Sequence, residues 1–191
     1  MTEPVLARVR DHLVENLDGQ PQVASVTFLG VEPIDVLRFS AGELIHYATL
    51  GCSRRPMTDP ADLNADPVKG PRAELVMTLR DKMTTAGLHR TLAVLAATPA
   101  VEGLVLAPDA LLDVGEPLWA AAPFTAVLLA ESTIAQLPLS PPADPVVFLD
   151  AVPITATEAA WVRLRGAAAL REAWQEAGID VRDPKRTAAQ L

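Results

Sequence analysis

A rhythm of short apolar runs broken by turn residues constrains this chain more than any other feature. Val23 to Leu29, Ile34 to Phe39, Leu44 to Leu50 and Glu74 to Leu79 are rich in β-branched and apolar residues and are bounded by Gly, Pro or Asp. Such runs mark consecutive strands, because alternate side chains of an extended chain can share one core. Leu104 to Leu106, Phe124 to Leu129 and Val146 to Val152 extend the series. Helical spacing flanks it. Val5, Leu6, Val9, Leu13, Val14 and Leu17 share one face of an opening helix, with Thr2 as its expected cap before Pro4 and Gly19 as its stop. Leu88, Leu92, Leu95 and Ala96 form a second stripe, expected to end at Thr98-Pro99 because proline disfavours helix in the preceding residue. Thr155-Ala156-Thr157-Glu158 is a capping-box pattern that opens a closing segment through Trp161, Leu164, Leu170 and Trp174 to Gly178, divided at Gly166 into two helices. The expected fold class is α+β, a mainly antiparallel or mixed sheet packed against helices, in a single domain over 1–191 with its core at about 23–178.

Composition narrows the function. Half of the 191 residues are hydrophobic, enough for a real core. Net charge is −8, which argues against phosphate backbones and anionic lipid and suits a basic partner. No nucleic acid and no membrane is therefore expected. The most apolar stretch, Pro117 to Ala130, is shorter than the roughly 18 to 20 residues a span requires, and Pro123 interrupts it. The charged N-terminus shows no secretory pattern. With one cysteine the chain has no internal disulfide, so a reducing cytoplasm is the expected location. Arginine outnumbers lysine 13 to 3 and alanine is frequent, a pattern of GC-rich genomes. No repeat period emerges.

Two segments hold 8 of the 17 prolines, Arg54 to Pro71 and Pro138 to Pro145. The first is 18 residues without a strand or helix signal. Connections beyond roughly 12 to 15 residues tend to be functional, so it is a candidate binding loop.

Reactive side chains do not assemble into a known constellation. Cys52 with His12, His46 or His89 would be needed for thiol catalysis, yet on one extended strand His46 and Cys52 would lie about 20 Å apart. Asp59, Asp62 and Asp66 lack the spacing of a calcium loop and suit turns. Phosphate-binding glycine loops and a nucleophile elbow are absent from the sequence. No cofactor, no metal and no catalytic residue is assigned. Glu74 stands out inside the apolar run Ala73-Glu74-Leu75-Val76-Met77. Alternation makes solvent exposure the plain expectation; a structural pair with Arg54, Arg55 or Arg72 is the other, and a catalytic acid comes third. Recognition is favoured over reaction: Tyr47, Arg54, Arg55 and Trp119 are residue types enriched in interface hot spots. Together with Ser53, Asp59 and Asp62 they form the expected protein-binding set, with Glu74 as a structural polar residue and Trp119 equally suited to the core.

The run Glu43-Leu44-Ile45-His46-Tyr47-Ala48-Thr49-Leu50-Gly51-Cys52-Ser53-Arg54-Arg55-Pro56-Met57 resembles the signature of the suppressor of fused family, a strand ending in a Gly-x-Ser turn and then Pro-Met. Arg72-Ala73-Glu74-Leu75-Val76 is similar to that family's "RxEL" strand, and Val152-Pro153-Ile154-Thr155 with Glu158 to its "PIT…E" opening of the closing helices. In order and spacing the resemblance runs from about Val26 to Gly178. It implies an α+β fold, an adaptor in place of an enzyme, and protein as the ligand. Animal members carry a second domain and hold a transcription factor between the two; nothing in this sequence corresponds to that domain, so Hedgehog-type signalling is not carried over. Stand-alone bacterial members resemble immunity proteins of polymorphic toxin systems, which implies a cognate toxin, here a basic one. The alternative is a hydrolase using Cys52 or Glu74. Oligomeric state is open, since an unpaired sheet edge could join either a second copy or another chain.

Overall fold

Alternation and turn chemistry place the strands almost where the sequence puts them. A computed structural model describes residues 4–191, and its strands form one seven-stranded sheet. The elements are α1 (Val5–Asn16), β1 (Gln22–Phe28), β2 (Val31–Ala41), β3 (Leu44–Leu50), β4 (Arg72–Arg80), α2 (Leu88–Glu102), β5 (Leu111–Asp113), β6 (Ala126–Glu131), β7 (Val146–Ile154), α3 (Ala156–Arg165) and α4 (Ala167–Glu176). A single turn of 3-10 helix, Cys52–Arg54, follows β3. β1 to β4 form an antiparallel meander, β4 and β7 pair in parallel, and β7, β6 and β5 are antiparallel. The sheet is therefore mixed, and the fold is α+β.

β4 shows how the layers arise. Ala73, Leu75, Met77 and Leu79 point to one face and join the core beneath α2. Arg72, Glu74, Val76, Thr78 and Arg80 point to the other. That second face is covered in two halves. α1 packs Val9 and Leu13 on Leu37, Phe39, Ala48, Val76 and Phe148, while α3 and α4 pack Val162, Leu170 and Trp174 on Ala126, Leu128 and Ile154.

Three expectations are corrected. Leu104 to Leu106 is irregular chain, and the strand found in its place is β5, whose three residues are too few to carry a pattern. α2 runs through Pro99 to Glu102, because the Thr98 hydroxyl donates to the Leu95 carbonyl (2.7 Å) that Pro99, lacking an N–H, leaves without its usual donor. The helix stops at Gly103, whose φ of +68° suits glycine and whose missing Cβ leaves room for the Pro60 ring. Thr2, expected to cap α1, lies outside the described residues, and Pro4 occupies the cap position. The closing helices follow the sequence reading: Thr155 and Glu158 form a reciprocal capping box, and Gly166 separates α3 from α4. None of the described helices is long and apolar enough to cross a membrane.

Candidate functional site

The turn that leaves β3 is built around a carboxylate. Glu74 is completely buried. Its Oε1 accepts from the Gly51 N–H (2.8 Å), the Ser53 N–H (2.9 Å) and the Ser53 hydroxyl (2.6 Å), and its Oε2 accepts from the Thr49 hydroxyl (2.6 Å). Thr49 in turn accepts the Leu75 N–H at 2.9 Å, just past the last regular β3–β4 pair, Ala48 with Val76. The carboxylate thus nails the chain reversal to the neighbouring strand. Burial raises its pKa, and the four donors pull it back only in part. Solvent exposure of Glu74 is overturned. So is a direct pair with Arg54, Arg55 or Arg72: Arg72 donates to the Ser53 carbonyl at 2.8 Å, while Arg54 and Arg55 lie 3.8 and 3.4 Å from Glu32. The alternation on β4 is real, but its polar face is roofed by the turn and α1.

Cys52 sits in the same turn. Burial, and then the negative charge of Glu74, push its thiol well above the usual range, which disfavours the thiolate a nucleophile needs. His46, its nearest candidate partner in sequence, is bonded instead to the Thr78 hydroxyl (2.8 Å). The aspartates of the long loop serve turns: Asp59, Asp62 and Asp66 accept from the backbone N–H of Ala61, Asn64 and Val68. No cluster of metal-ligating side chains forms among the described residues.

The structure divides the expected binding set. Tyr47, Ser53 and Trp119 are buried, with relative exposures of 7%, 0% and 2%, and cannot meet a partner directly. Tyr47 bonds its hydroxyl to Thr85 (2.6 Å), and Trp119 packs against Phe124. Arg54, Arg55, Asp59 and Asp62 remain at or near the surface. A cleft of about 310 Å³ is lined by Glu32, Cys52, Arg54, Arg55 and the Ala96–Ala100 end of α2. Pro60 seats on Gly103 and the Gly70 N–H donates to Asp144 (3.0 Å), so the long loop is moored to the end of α2 and to the segment before β7. Leu63 and Val101, 95% and 62% exposed, add apolar surface that the sequence reading did not single out.

A second buried carboxylate holds the closing helices. Glu158 is fully buried, and accepts from Thr155 N–H, Trp174 Nε1, the Ala189 N–H and both terminal nitrogens of Arg186, the last at 2.7 and 3.0 Å. Burial alone would raise its pKa, but Arg186 and the other donors more than offset this and hold it below the usual range. Arg186 also lies over the rings of Phe124 and Trp174. It follows the last apolar stripe in a tail without periodicity, and was missed for that reason.

The fold, a β-meander joined in parallel to a second antiparallel unit, is shared with solved proteins. The sequence profile of the suppressor of fused protein (SUFU) family matches residues 30–187, and this chain belongs to that family. A suppressor of fused homologue from Neisseria gonorrhoeae superposes with a TM-score of 0.68 at 18% identity, covering 97% of this chain and 96% of that one. The Sufu–Fu complex gives 0.67 at 16%, covering 99% and 93%. Drosophila Suppressor of Fused gives 0.67 at 17%, covering 98% of this chain and 51% of that chain. No curated protein sequence matches significantly. At these identities the structural likeness shows the fold.

Proposed function

We propose that this protein is a binding module for another protein, and that the contact face is the moored loop with the cleft beside it. The observation that carries the reading is the division of labour around Glu74: the polar groups suited to chemistry are spent holding the turn, while Arg54, Arg55, Leu63 and Val101 are offered outward. Arginine and exposed aliphatic groups around a cleft have the makeup of an interface core with a polar rim. A solved relative described as a complex with Fu fits the same role. The partner we favour is a basic protein domain. The chain carries −8, and loop residues 58–69 hold three aspartates against one lysine. Arg54 and Arg55 share Glu32, which offsets one of their two positive charges. Complementary charge raises association rates and rejects wrong partners.

The finer reading is an immunity protein that neutralises a cognate bacterial toxin by binding it in the cytoplasm, as a single domain over 1–191. Its test is co-expression with toxin domains encoded beside the gene. Rescue of growth supports it; failure to rescue, together with pull-downs empty of toxin-like partners, sinks it while leaving protein binding open. For the face itself, Arg54→Ala with Arg55→Ala, which removes both side-chain contacts without adding negative charge that a basic partner would favour, should abolish partner binding and leave the thermal midpoint nearly unchanged. Equal binding by that double variant excludes the site.

A further inference from the structure

β1 forms one edge of the sheet and the three-residue β5 the other. An edge strand turns the N–H and C=O groups of alternate residues outward. Among the described residues no backbone hydrogen bond reaches β1 except those of its ladder with β2, so that outward row is unpaired. Proteins usually blunt such an edge with a charge, a proline or an early bulge. None of these interrupts Gln22 to Val26. No charged residue lies between Asp18 and Glu32, Pro21 precedes the strand, and the register stays regular until the irregularity between Val26 and Phe28.

A cleft lies beside this row. On the α2 side of the sheet, at the opposite end of α2 from the Arg54–Arg55 cleft, a space of about 780 Å³ extends from β1 across β2 and β3 to the 81–87 loop. Its apolar walls are Ala24, Val36, Ile45, Tyr47, Met83 and Ala86. Tyr47 ties the loop to β3 through its hydroxyl bond to Thr85 (2.6 Å). Arg38 and Asp81 contribute opposite charges, so the lining is neutral overall. The volume is within the roughly 300–1,000 Å³ of ordinary ligand sites. Ala24 leaves it open: Val26 and Phe28, which share its face of β1, are large enough to pack on the core.

We propose that an extended, uncharged segment of a partner protein joins the sheet as a further strand beyond β1 and sets bulky apolar side chains in this cleft. The unpaired row calls for a main chain, which a small molecule does not offer. The uncharged strip and the neutral cleft call for apolar side chains over charged ones. A second copy would bring its own β1, whose Val26 and Phe28 are already packed on its own core, leaving only Gln22 and Ala24 for a cleft of this volume. In strand addition the ladder supplies affinity and the side-chain pockets supply specificity. The inference rests on the reading of this chain as a protein-binding module, but not on the Arg54–Arg55 face.

The test pans the whole protein against a display library of random heptapeptides and titrates the enriched sequences as blocked peptides. Uncharged sequences with aromatic or large aliphatic residues at alternate positions are expected. Ala24→Leu, which grows into the cleft, should weaken them about tenfold or more, while Arg54→Ala with Arg55→Ala leaves them unchanged. Methylating one alternate set of peptide amides should also weaken binding about tenfold or more, and methylating the other set less than about twofold, because only one set faces β1. That series uses the wild-type chain and stands whether or not the Ala24 variant folds. Panning that enriches nothing or only charged sequences, equal loss from both methylated sets, or binding indifferent to Ala24→Leu overturns the proposal. Loss of binding in the Arg54 and Arg55 variant overturns it by placing the peptides on the other cleft, and self-association of the free protein that the peptides reverse overturns it by assigning the edge to a second copy. The peptides are measured without the natural partner, so growth rescue and pull-downs judge the module reading separately.

Discussion

Glu74 and Glu158 are both carboxylates with no solvent exposure, and both are wrapped in at least four hydrogen bonds. Their partners differ in one respect. Glu74 is satisfied by neutral donors alone, whereas Glu158 has the Arg186 guanidinium. Their pKa values consequently move in opposite directions. Burial alone does not decide the state of an interior carboxylate; the charge of its donors does.

The sharpest way to break this comparison is Glu158→Gln. It strands Arg186 as a buried cation with no counter-charge, which costs about 3–5 kcal/mol. Thermal unfolding at pH 7 should fall by roughly 10 °C or more. A loss no greater than that of the matching Glu74 variant would erase the distinction. Next in size is Glu74→Ala, which leaves the Gly51 and Ser53 N–H groups and two hydroxyls without their acceptor, at about 2–4 kcal/mol by denaturant unfolding. Glu74→Gln should cost much less at pH 7, about 1 kcal/mol or under, because it keeps an acceptor for the turn and removes the cost of a buried charge.

Acid titration should separate the pair by sign. The folded pKa of Glu158 is depressed, so its contribution is present above the unfolded value near 4.5 and fades as pH falls through the folded value. That of Glu74 is raised, so its contribution is complete below that unfolded value and is lost as pH rises through the folded one. From pH 7 down to acid, the midpoint gap between wild type and Glu158→Gln should shrink, while wild type gains on Glu74→Gln. Gaps moving together would contradict the assignment. An effect of the same small size is expected of Ser53→Ala, which removes one of the four donors to Glu74 for about 1 kcal/mol by denaturant unfolding.

Much of this scaffold is legible in sequence because local rules agree with the fold there. Leu44 to Leu50 is read with its observed bounds, since its apolar run ends at a glycine that must turn. Thr155, Glu158 and Gly166 announce the closing helices through chemistry confined to a few residues. The misses are non-local. Thr98 rescues the helix across Pro99 through a hydroxyl whose role needs the helix to exist already. Glu74 alternates as a solvent-facing residue would, and only the roof over it reveals otherwise. In the expected binding set, Arg54, Arg55, Asp59 and Asp62 reach the surface, whereas Tyr47, Ser53 and Trp119 are hot-spot or polar types claimed by the interior.

The parallel seam between β4 and β7 has a kinetic consequence. Each meander strand finds its neighbour after a short turn, or after one loop before β4, but Arg72 meets Val146 only when the intervening chain of α2, β5 and β6 has been gathered. Loop closure on that scale costs entropy before any contact repays it, and such pairings slow folding. The centre of the finished sheet is thus expected to be the last of its ladders to zip. Deuterium pulse-labelling during refolding should protect the Ile45 and Tyr47 amides ahead of those of Leu149 and Ala151.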